Sequence, residues 1–285
     1  MKDLFPASLH FFLAYLLGVA LAHYLGVPLS LSAFGLGLAW LMSLFAAAAW
    51  LDDAFRNPAQ PFRADDSLEQ RLKTRQRRLL LGLAALTLSA ALTVTMAALR
   101  LLNLSALTLM ALTALALLAL TIPPVRLSNR GLGEFALALA AADLTPALAF
   151  ALQNGALHRL LAAFVFPLTF LALAYFFAIT FPTLARDQKY GRQTFLARFG
   201  WQIAVPAHNA FLAAAYLLLT AAPFFGVPFG LIWPGLLTLP LAALQIYQFL
   251  RLENGEKPLW PLLNLTAAAI PGLTAYLLAF TLWIR

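Results

Sequence analysis

The chain has 285 residues, is 62% hydrophobic and 11% charged, and has a mean hydropathy of +0.83. Soluble domains are about 45–50% apolar and about 25% charged, so this composition excludes a soluble enzyme, a disordered chain and a disulfide-rich secreted module. The surplus apolar surface is typical of a protein that lies in a bilayer.

The net charge of +8 does not indicate a nucleic-acid-binding protein, because the basic residues lie between apolar stretches. The absence of cysteine excludes disulfides, thiolate metal sites and cysteine nucleophiles. The first residues lead into an apolar run without a small-residue cleavage pattern, which predicts a first membrane span and not a cleaved signal peptide. We expect one membrane domain over residues 1–285.

Apolar stretches long enough to cross a bilayer predict nine transmembrane helices in an all-α integral membrane protein. In chain order they lie at about residues 8–26, 30–51, 78–98, 101–121, 132–152, 159–182, 203–224, 229–250 and 260–283.

Lysine and arginine are distributed unequally between the loops. If the nine spans alternate in direction, 16 of the 19 lie at the N-terminus and in the even-numbered loops, and 3 lie on the other side. Basic residues favour cytoplasmic loops. The pattern predicts a multi-pass protein of the cell membrane, with the N-terminus and even-numbered loops in the cytoplasm and the C-terminus on the opposite side.

The two longest charged loops follow the second and sixth spans, and both begin with acidic residues. These are Asp52 and Asp53 in the first loop and Asp187 in the second. Matching loops four spans apart predict an internal duplication, with two four-helix units and one additional helix.

Carboxylates at helix ends above an apolar bundle suit Mg²⁺, which prefers oxygen ligands and bridges to substrate phosphates. Nearby arginines can bind the same phosphates through paired hydrogen bonds. A phosphate head at the rim and an apolar tail in the bundle describe a prenyl diphosphate, which is one hypothesis among several on this physical argument alone.

Three segments resemble motifs of the UbiA intramembrane prenyltransferase superfamily, and the resemblance extends over nearly the whole chain. Residues 123–134 (PPVRLSNRGLGE) resemble the loop after helix four, and residues 187–200 (DQKYGRQTFLARFG) resemble the second aspartate motif with its Gly-x-x-Thr continuation. Residues 51–55 (LDDAF) lie where the first motif, Asn-Asp-x-x-Asp-x-x-x-Asp, is expected. The resemblance implies a nine-helix UbiA-like bundle.

Both aspartate motifs depart from the family pattern. One alignment of the first motif matches Asp52 and Asp53 to its Asn-Asp and puts Arg56 and Gln60 in its last two aspartate positions. The other alignment puts Asp53 and Asn57 in those two positions. In the second motif Asp187 matches, whereas Thr183 replaces the aspartate four residues earlier.

The resemblance implies roles for the matching residues. It implies that the two motifs hold Mg²⁺ and that the metal ion binds the diphosphate. It also implies that Asp53 and Asp187 are catalytic residues. The implied metal ligands are Asp52, Asp53 and Asp187; the implied diphosphate contacts are Arg126, Arg56, Lys189 and Arg192; Asn57 is a further candidate. We hypothesise that Arg56 replaces a metal-bound carboxylate by contacting the diphosphate directly.

His10, Asp143 and His208 are polar candidates that fall within predicted spans. Polar groups between membrane helices are commonly satisfied by neighbouring helices, but an ionisable residue at mid-span is also a candidate functional group. Two readings therefore stay open, a structural contact and the orientation of an acceptor hydroxyl. The basic stretch 71–78 (RLKTRQRR) is more typical of contact with anionic lipids than of a site.

These observations predict a divergent prenyltransferase that transfers a polyprenyl group from its diphosphate to a lipid-soluble acceptor of the quinone-precursor type. The alternative is a catalytically inactive relative that binds an isoprenoid or quinone, for instance as a partner subunit. The expected partners are the bilayer, a prenyl diphosphate and a hydrophobic acceptor, with no nucleic acid.

Overall fold

The computed structural model describes the backbone over residues 4–63 and 66–285 and the side chains over residues 8–63 and 66–285. Over these residues the chain forms helices and no strand. Lys2, which the predicted topology includes, lies outside the described residues. The helices are α1 (Leu4–Tyr24), α2 (Leu31–Ala54), α3 (Leu68–Ala98), α4 (Leu104–Thr121), α5 (Gly133–Ala138), α6 (Thr145–Asn154), α7 (Leu160–Ala178), α8 (Leu184–Lys189), α9 (Phe195–Phe199), α10 (Trp201–Ala221), α11 (Phe229–Leu236), α12 (Leu239–Glu253) and α13 (Trp260–Ile284).

The all-α membrane fold predicted from the sequence is confirmed. Within the described residues, eight helical stretches are long and apolar enough to cross a membrane, and several combine consecutive helices, as α5 and α6 do over Gly133–Asn154. A shorter apolar helix covers Ser8–Tyr24, where the first span is predicted. The number of nine crossings and the internal duplication stay predictions.

Close helix packing fixes the middle of the bundle. Helix α1 packs against α6 and α13, and α2 packs against α3. Gly18 of α1 lies so close to α6 that a Cβ there would overlap the carbonyl oxygen of Pro146. Small residues permit this approach of two membrane helices, which is driven by packing and not by water exclusion.

Helix α3 begins at Leu68, well before the predicted start at residue 78. Ser67 caps it, since the Ser67 hydroxyl accepts a hydrogen bond from the Gln70 amide and the Gln70 side chain accepts one from the Ser67 amide. This reciprocal pair satisfies backbone donors at the helix start. Apolar periodicity does not reveal the extension, because its residues are mostly polar or charged.

One face of this extension binds the loop after α2. Arg71 donates hydrogen bonds to the carbonyl oxygens of Asp66 and Ala59, and Arg75 donates one to Ala54 O. The stretch 71–78 is therefore partly a structural brace. Its exposed basic residues are Lys73 and Arg77, which leaves these two for contact with lipid headgroups.

The loop after α4 and the loop after α8 are joined by hydrogen bonds. The Gly131 amide donates to Gln193 O at 2.6 Å, and the Gln193 amide donates to Asn129 Oδ1 at 3.0 Å. Gly131 has φ +73°, a left-handed conformation that favours glycine. The loop after α2 joins them, because Asn57 Nδ2 donates to Tyr190 O at 2.9 Å. The three loops thus form one connected end of the bundle.

Candidate functional site

A polar cavity of about 380 Å³ opens between these three loops. Four arginines and one carboxylate line it, together with uncharged residues. Because positive charge is in excess, the cavity attracts a polyanion. The charged lining residues are Asp52, Arg56, Arg75, Arg126 and Arg192.

Asp52, near the end of α2, connects both motif loops. Its Oδ1 accepts a hydrogen bond from Ser128 Oγ at 3.0 Å and lies 3.8 Å from Arg126 NH2. Its Oδ2 lies 3.7 Å from Arg192 NH2. Both ion pairs are longer than a charge-assisted hydrogen bond, so neither guanidinium has its donors fully used by Asp52.

Arg126 combines an unusual backbone with an unused donor. Its φ of +36° lies in the left-handed region, which is uncommon outside glycine and concentrates at ligand sites. Its Nε is buried and has no hydrogen-bond partner among the described residues. Burial lowers the pKa of Arg126, and the attraction of Asp52 opposes this effect. The guanidinium is therefore held at the cavity with capacity to bind an anion.

Arg192 lies among carboxylates. Burial by itself lowers the pKa of Arg192, but Asp52, Asp187 and Glu134 outweigh it, and the pKa is raised. Its side chain is 34% exposed, so the group is charged and still accessible from the cavity.

Asp53 faces a different set of neighbours from Asp52. Its Oδ1 lies 2.5 Å from Arg56 NH2 and its Oδ2 lies 3.7 Å from Arg78 Nε. It does not belong to the cavity lining. Two arginines therefore already compensate the charge of this predicted catalytic residue.

Asp187 is buried, with 1% of its surface exposed, and does not line the cavity. Its Oδ2 accepts a hydrogen bond from Thr183 Oγ1 at 2.7 Å, and its Oδ1 has no hydrogen-bond partner in the described part of the chain. Thr183, which stands in place of the missing aspartate of the second motif, thus donates a hydrogen bond to Asp187, the aspartate that remains. Nearby Glu134 is also buried, and its Oε1 accepts from the Phe195 amide at 3.1 Å.

The donor set does not fit Mg²⁺, which requires several oxygen ligands around one point. Among the described residues no three His, Asp or Glu side chains are grouped so that they could hold a metal ion. Of the three predicted ligands only Asp52 lines the cavity, whereas Asp53 is paired with arginines and Asp187 with Thr183.

Asn57 lines the cavity, as its candidate role requires, and also braces the loop around Tyr190. Lys189 is exposed, and its ammonium lies 5.4 Å from the Tyr190 ring centre, outside the cavity lining. The structure brings Arg56, Arg126 and Arg192 together and leaves Lys189 apart.

The polar residues of the spans lie outside the cavity lining. His10 Nε2 lies 3.0 Å from Ala268 O, and the ring stacks on Tyr175 with 4.4 Å between centroids. His208 is fully buried, with Nδ1 3.0 Å from Asn209 Oδ1 and the ring against Phe249. These contacts favour structural roles for both histidines.

Asp143 lies in a π-helical turn over Leu139–Leu144, just before Pro146. Thr145 Oγ1 donates to Ala140 O at 2.7 Å and not to Asp143. No hydrogen bond or ion pair of Asp143 is found within the described residues. The structure assigns it no contact with the cavity.

Sequence reasoning missed Arg75 and Arg78, which it placed with the lipid-facing stretch. A signal for them exists, since Arg71, Arg75 and Arg78 have the spacing of one helix face. This spacing indicates a shared helix face only when α3 is known to begin at Leu68. Ser128 was included in a motif but given no role.

The fold is similar to solved structures of one family. A UbiA homolog from Archaeoglobus fulgidus bound to DMAPP and Mg²⁺ matches with a TM-score of 0.57 and 17% identity, over 96% of this chain and 97% of that chain. A UbiA homolog from the same organism bound to GPP and Mg²⁺ matches with a TM-score of 0.60 and 20% identity, over 99% and 98%. Comparisons of the sequence with protein-family models and with curated proteins give no match.

The chain therefore has the fold of these UbiA homologs, as the sequence motifs predict. The likeness covers nearly the whole of both chains. At this identity it establishes the fold, while activity has to be argued from the residues at the cavity.

Proposed function

We propose that this protein is a divergent intramembrane prenyltransferase that binds a prenyl diphosphate with its diphosphate in the arginine-lined cavity. The observation that carries the proposal is the convergence of Arg56, Arg126 and Arg192 from three loops on one cavity at the end of an apolar bundle. The similar structures support it, because they were solved with prenyl diphosphates bound.

The proposed reaction breaks the bond between the first prenyl carbon and the diphosphate oxygen. The bonding electrons leave with the diphosphate, whose added charge the arginines stabilise. The allylic carbon then bonds to a nucleophilic carbon or oxygen of the acceptor, which releases a proton to water or a nearby base. No step is assigned to a metal, because the carboxylates do not fit one.

We propose a lipid-soluble acceptor of the quinone-precursor type, and the apolar surroundings of the cavity support its lipid solubility. The bundle is apolar, so a water-soluble acceptor would have to leave its solvent to approach the allylic carbon. The charge distribution supports a cell-membrane location with the cavity on the cytoplasmic side. Arg56, Arg126 and Arg192 belong to the even-numbered loops, which hold most of the lysines and arginines.

A second candidate function is a protein that binds a prenyl diphosphate or quinone without reaction. The compensated state of Asp53, which contacts both Arg56 and Arg78, favours it. The two candidates differ in their products, because only the first releases inorganic pyrophosphate and forms a prenylated acceptor.

The test is an assay of purified protein in liposomes with geranylgeranyl diphosphate and a panel of lipid-soluble aromatic acceptors, with and without Mg²⁺. We expect release of pyrophosphate in step with a prenylated product identified by mass spectrometry. Arg192→Ala should lower the rate at least about tenfold, since a hydrogen bond to a charged group contributes about 1.5–3 kcal/mol.

Arg77→Ala is the matched control, because Arg77 is exposed on α3 and does not line the cavity. It should keep the wild-type rate. Binding of the diphosphate with no pyrophosphate from any acceptor would support the second candidate and contradict the first.

A further inference from the structure

We infer that the cavity binds a diphosphate without a divalent metal ion, with the arginines supplying the positive charge that Mg²⁺ supplies in the similar structures. The inference rests on the proposed function and specifies how its site recognises the substrate. It concerns this chain's own residues and departs from the Mg²⁺-dependent binding that the family motifs imply.

The charge of the cavity favours an anion and opposes a cation. The lining contains four arginines and one carboxylate. A divalent cation that entered would meet this excess of positive charge before it reached Asp52. The same charges would attract a diphosphate, so the cavity favours the anion over a divalent cation.

Two of the three carboxylates predicted to bind a metal already contact arginines. Asp52 lies between Arg126 and Arg192, and it also accepts from Ser128. Asp53 contacts Arg56 at 2.5 Å. A metal at either residue would have to displace a guanidinium into a cavity that is already cationic.

Arg56 occupies a position that one alignment of the first motif gives to an aspartate. A guanidinium cannot bind a metal, but its planar set of donors matches phosphate oxygens. An arginine in place of the aspartate therefore has two effects. It removes a ligand for a cation, and it adds a ligand for an anion.

The arginines are fixed and retain donors for a ligand. Arg75 is held by a hydrogen bond from Nε to Ala54 O at 3.0 Å, and Arg126 has a buried Nε without a partner among the described residues. Donors held in place before binding lose little conformational freedom when the anion arrives. This arrangement suits direct, charge-assisted recognition of phosphate oxygens.

The test is isothermal titration of the full chain in detergent with geranyl diphosphate and, separately, with inorganic pyrophosphate, in EDTA and in Mg²⁺. We expect both ligands to bind in EDTA, with affinities within about threefold of those in Mg²⁺. Arg126→Ala and Arg192→Ala should each weaken binding in EDTA at least about tenfold. Arg77→Ala should leave it unchanged.

Two further measurements keep the test independent of misfolding. Arg126→Lys and Arg192→Lys retain the charge without the planar donors, so they should bind more weakly than wild type and more tightly than the alanine variants. Titration of Mn²⁺ followed by electron paramagnetic resonance, with geranyl diphosphate present, should show no more bound Mn²⁺ than the diphosphate binds without protein.

The outcomes separate this inference from the proposed function. Binding of geranyl diphosphate that requires Mg²⁺, or Mn²⁺ held by the protein and lost in Asp52→Asn, would overturn the inference and leave the proposed function standing. No binding in either condition would overturn both.

Discussion

For Asp52, metal-dependent and metal-free binding of a diphosphate predict opposite effects of a substitution on affinity. It lies between Arg126 and Arg192 with ion-pair distances of 3.8 and 3.7 Å. If it were a metal ligand, its removal would weaken diphosphate binding. If the arginines bind the anion directly, Asp52 competes with the ligand for them.

We predict that Asp52→Asn tightens the binding of inorganic pyrophosphate in EDTA by about threefold to tenfold. The substitution removes a negative charge beside the ligand, an effect of about 1 kcal/mol at a partly exposed site. Ser128→Ala, which removes only the 3.0 Å hydrogen bond to Asp52, is the control and should change affinity less. Weaker binding by Asp52→Asn would contradict the account.

Glu134 anchors the continuation of the second motif at Phe195. Its buried Oε1 accepts the hydrogen bond of the Phe195 amide. Glu134→Ala should lower the free energy of unfolding by about 1–3 kcal/mol, because it leaves that amide without a partner. Glu134→Gln retains an acceptor and should lose less. Thermal unfolding in detergent measures the difference, and equal losses would show that the hydrogen bond contributes little.

The sequence indicates the identity of the site residues better than their partners. Arg126 and Arg192 follow from the motif resemblance, and both line the cavity. The pairing of Asp53 with Arg56 and the absence of Asp187 from the cavity lining could not be predicted, because they depend on side-chain geometry at the end of α2 and in α8. Lys189 is a second example. Its position in the sequence does not show which way its side chain lies, and in the structure it is outside the cavity lining.

Helices α1 and α6 pack closely at Gly18. We predict that Gly18→Ala destabilises the protein by about 1–3 kcal/mol, because its Cβ would overlap the backbone oxygen of Pro146 and a backbone atom cannot rotate away. Gly35→Ala in α2 is the control, since a Cβ there meets nothing within 4 Å. Thermal unfolding in detergent should separate the two variants. Equal stability would mean that the two helices can move apart without loss.

Helix α3 shows which elements a sequence predicts and which it does not. Its apolar part follows from hydropathy, because a bilayer selects for it. Its charged start over residues 68–77 depends on the cap at Ser67 and on hydrogen bonds from Arg71 and Arg75 to the neighbouring loop. Such contacts are tertiary, so no local pattern of apolar residues predicts them.

For the whole molecule, the charge distribution predicts which end faces the cytoplasm. The chain has no cysteine, so single cysteines can be introduced without removing others. We predict that a cysteine at Arg77 reacts with a membrane-impermeant maleimide only from the cytoplasmic side, and one at Ala156 only from the opposite side. Both positions are exposed. Reaction of both from one side would contradict the predicted topology.

The architecture of the molecule could be predicted from the sequence because it depends on long apolar stretches and on three motifs. The function of its cavity could not, because the motifs are incomplete and the compensating arginines come from separate loops. Arg56 illustrates the difficulty, since the sequence shows a lost carboxylate at its position and only the structure shows that the arginine lines the cavity.

The most direct test of the central claim is an experimental structure of the protein with geranyl diphosphate bound in EDTA. The account predicts that the diphosphate lies in the cavity between the three loops, with phosphate oxygens within hydrogen-bond distance of Arg126 and Arg192. A diphosphate bound elsewhere in the bundle, or held away from these guanidiniums, would contradict it.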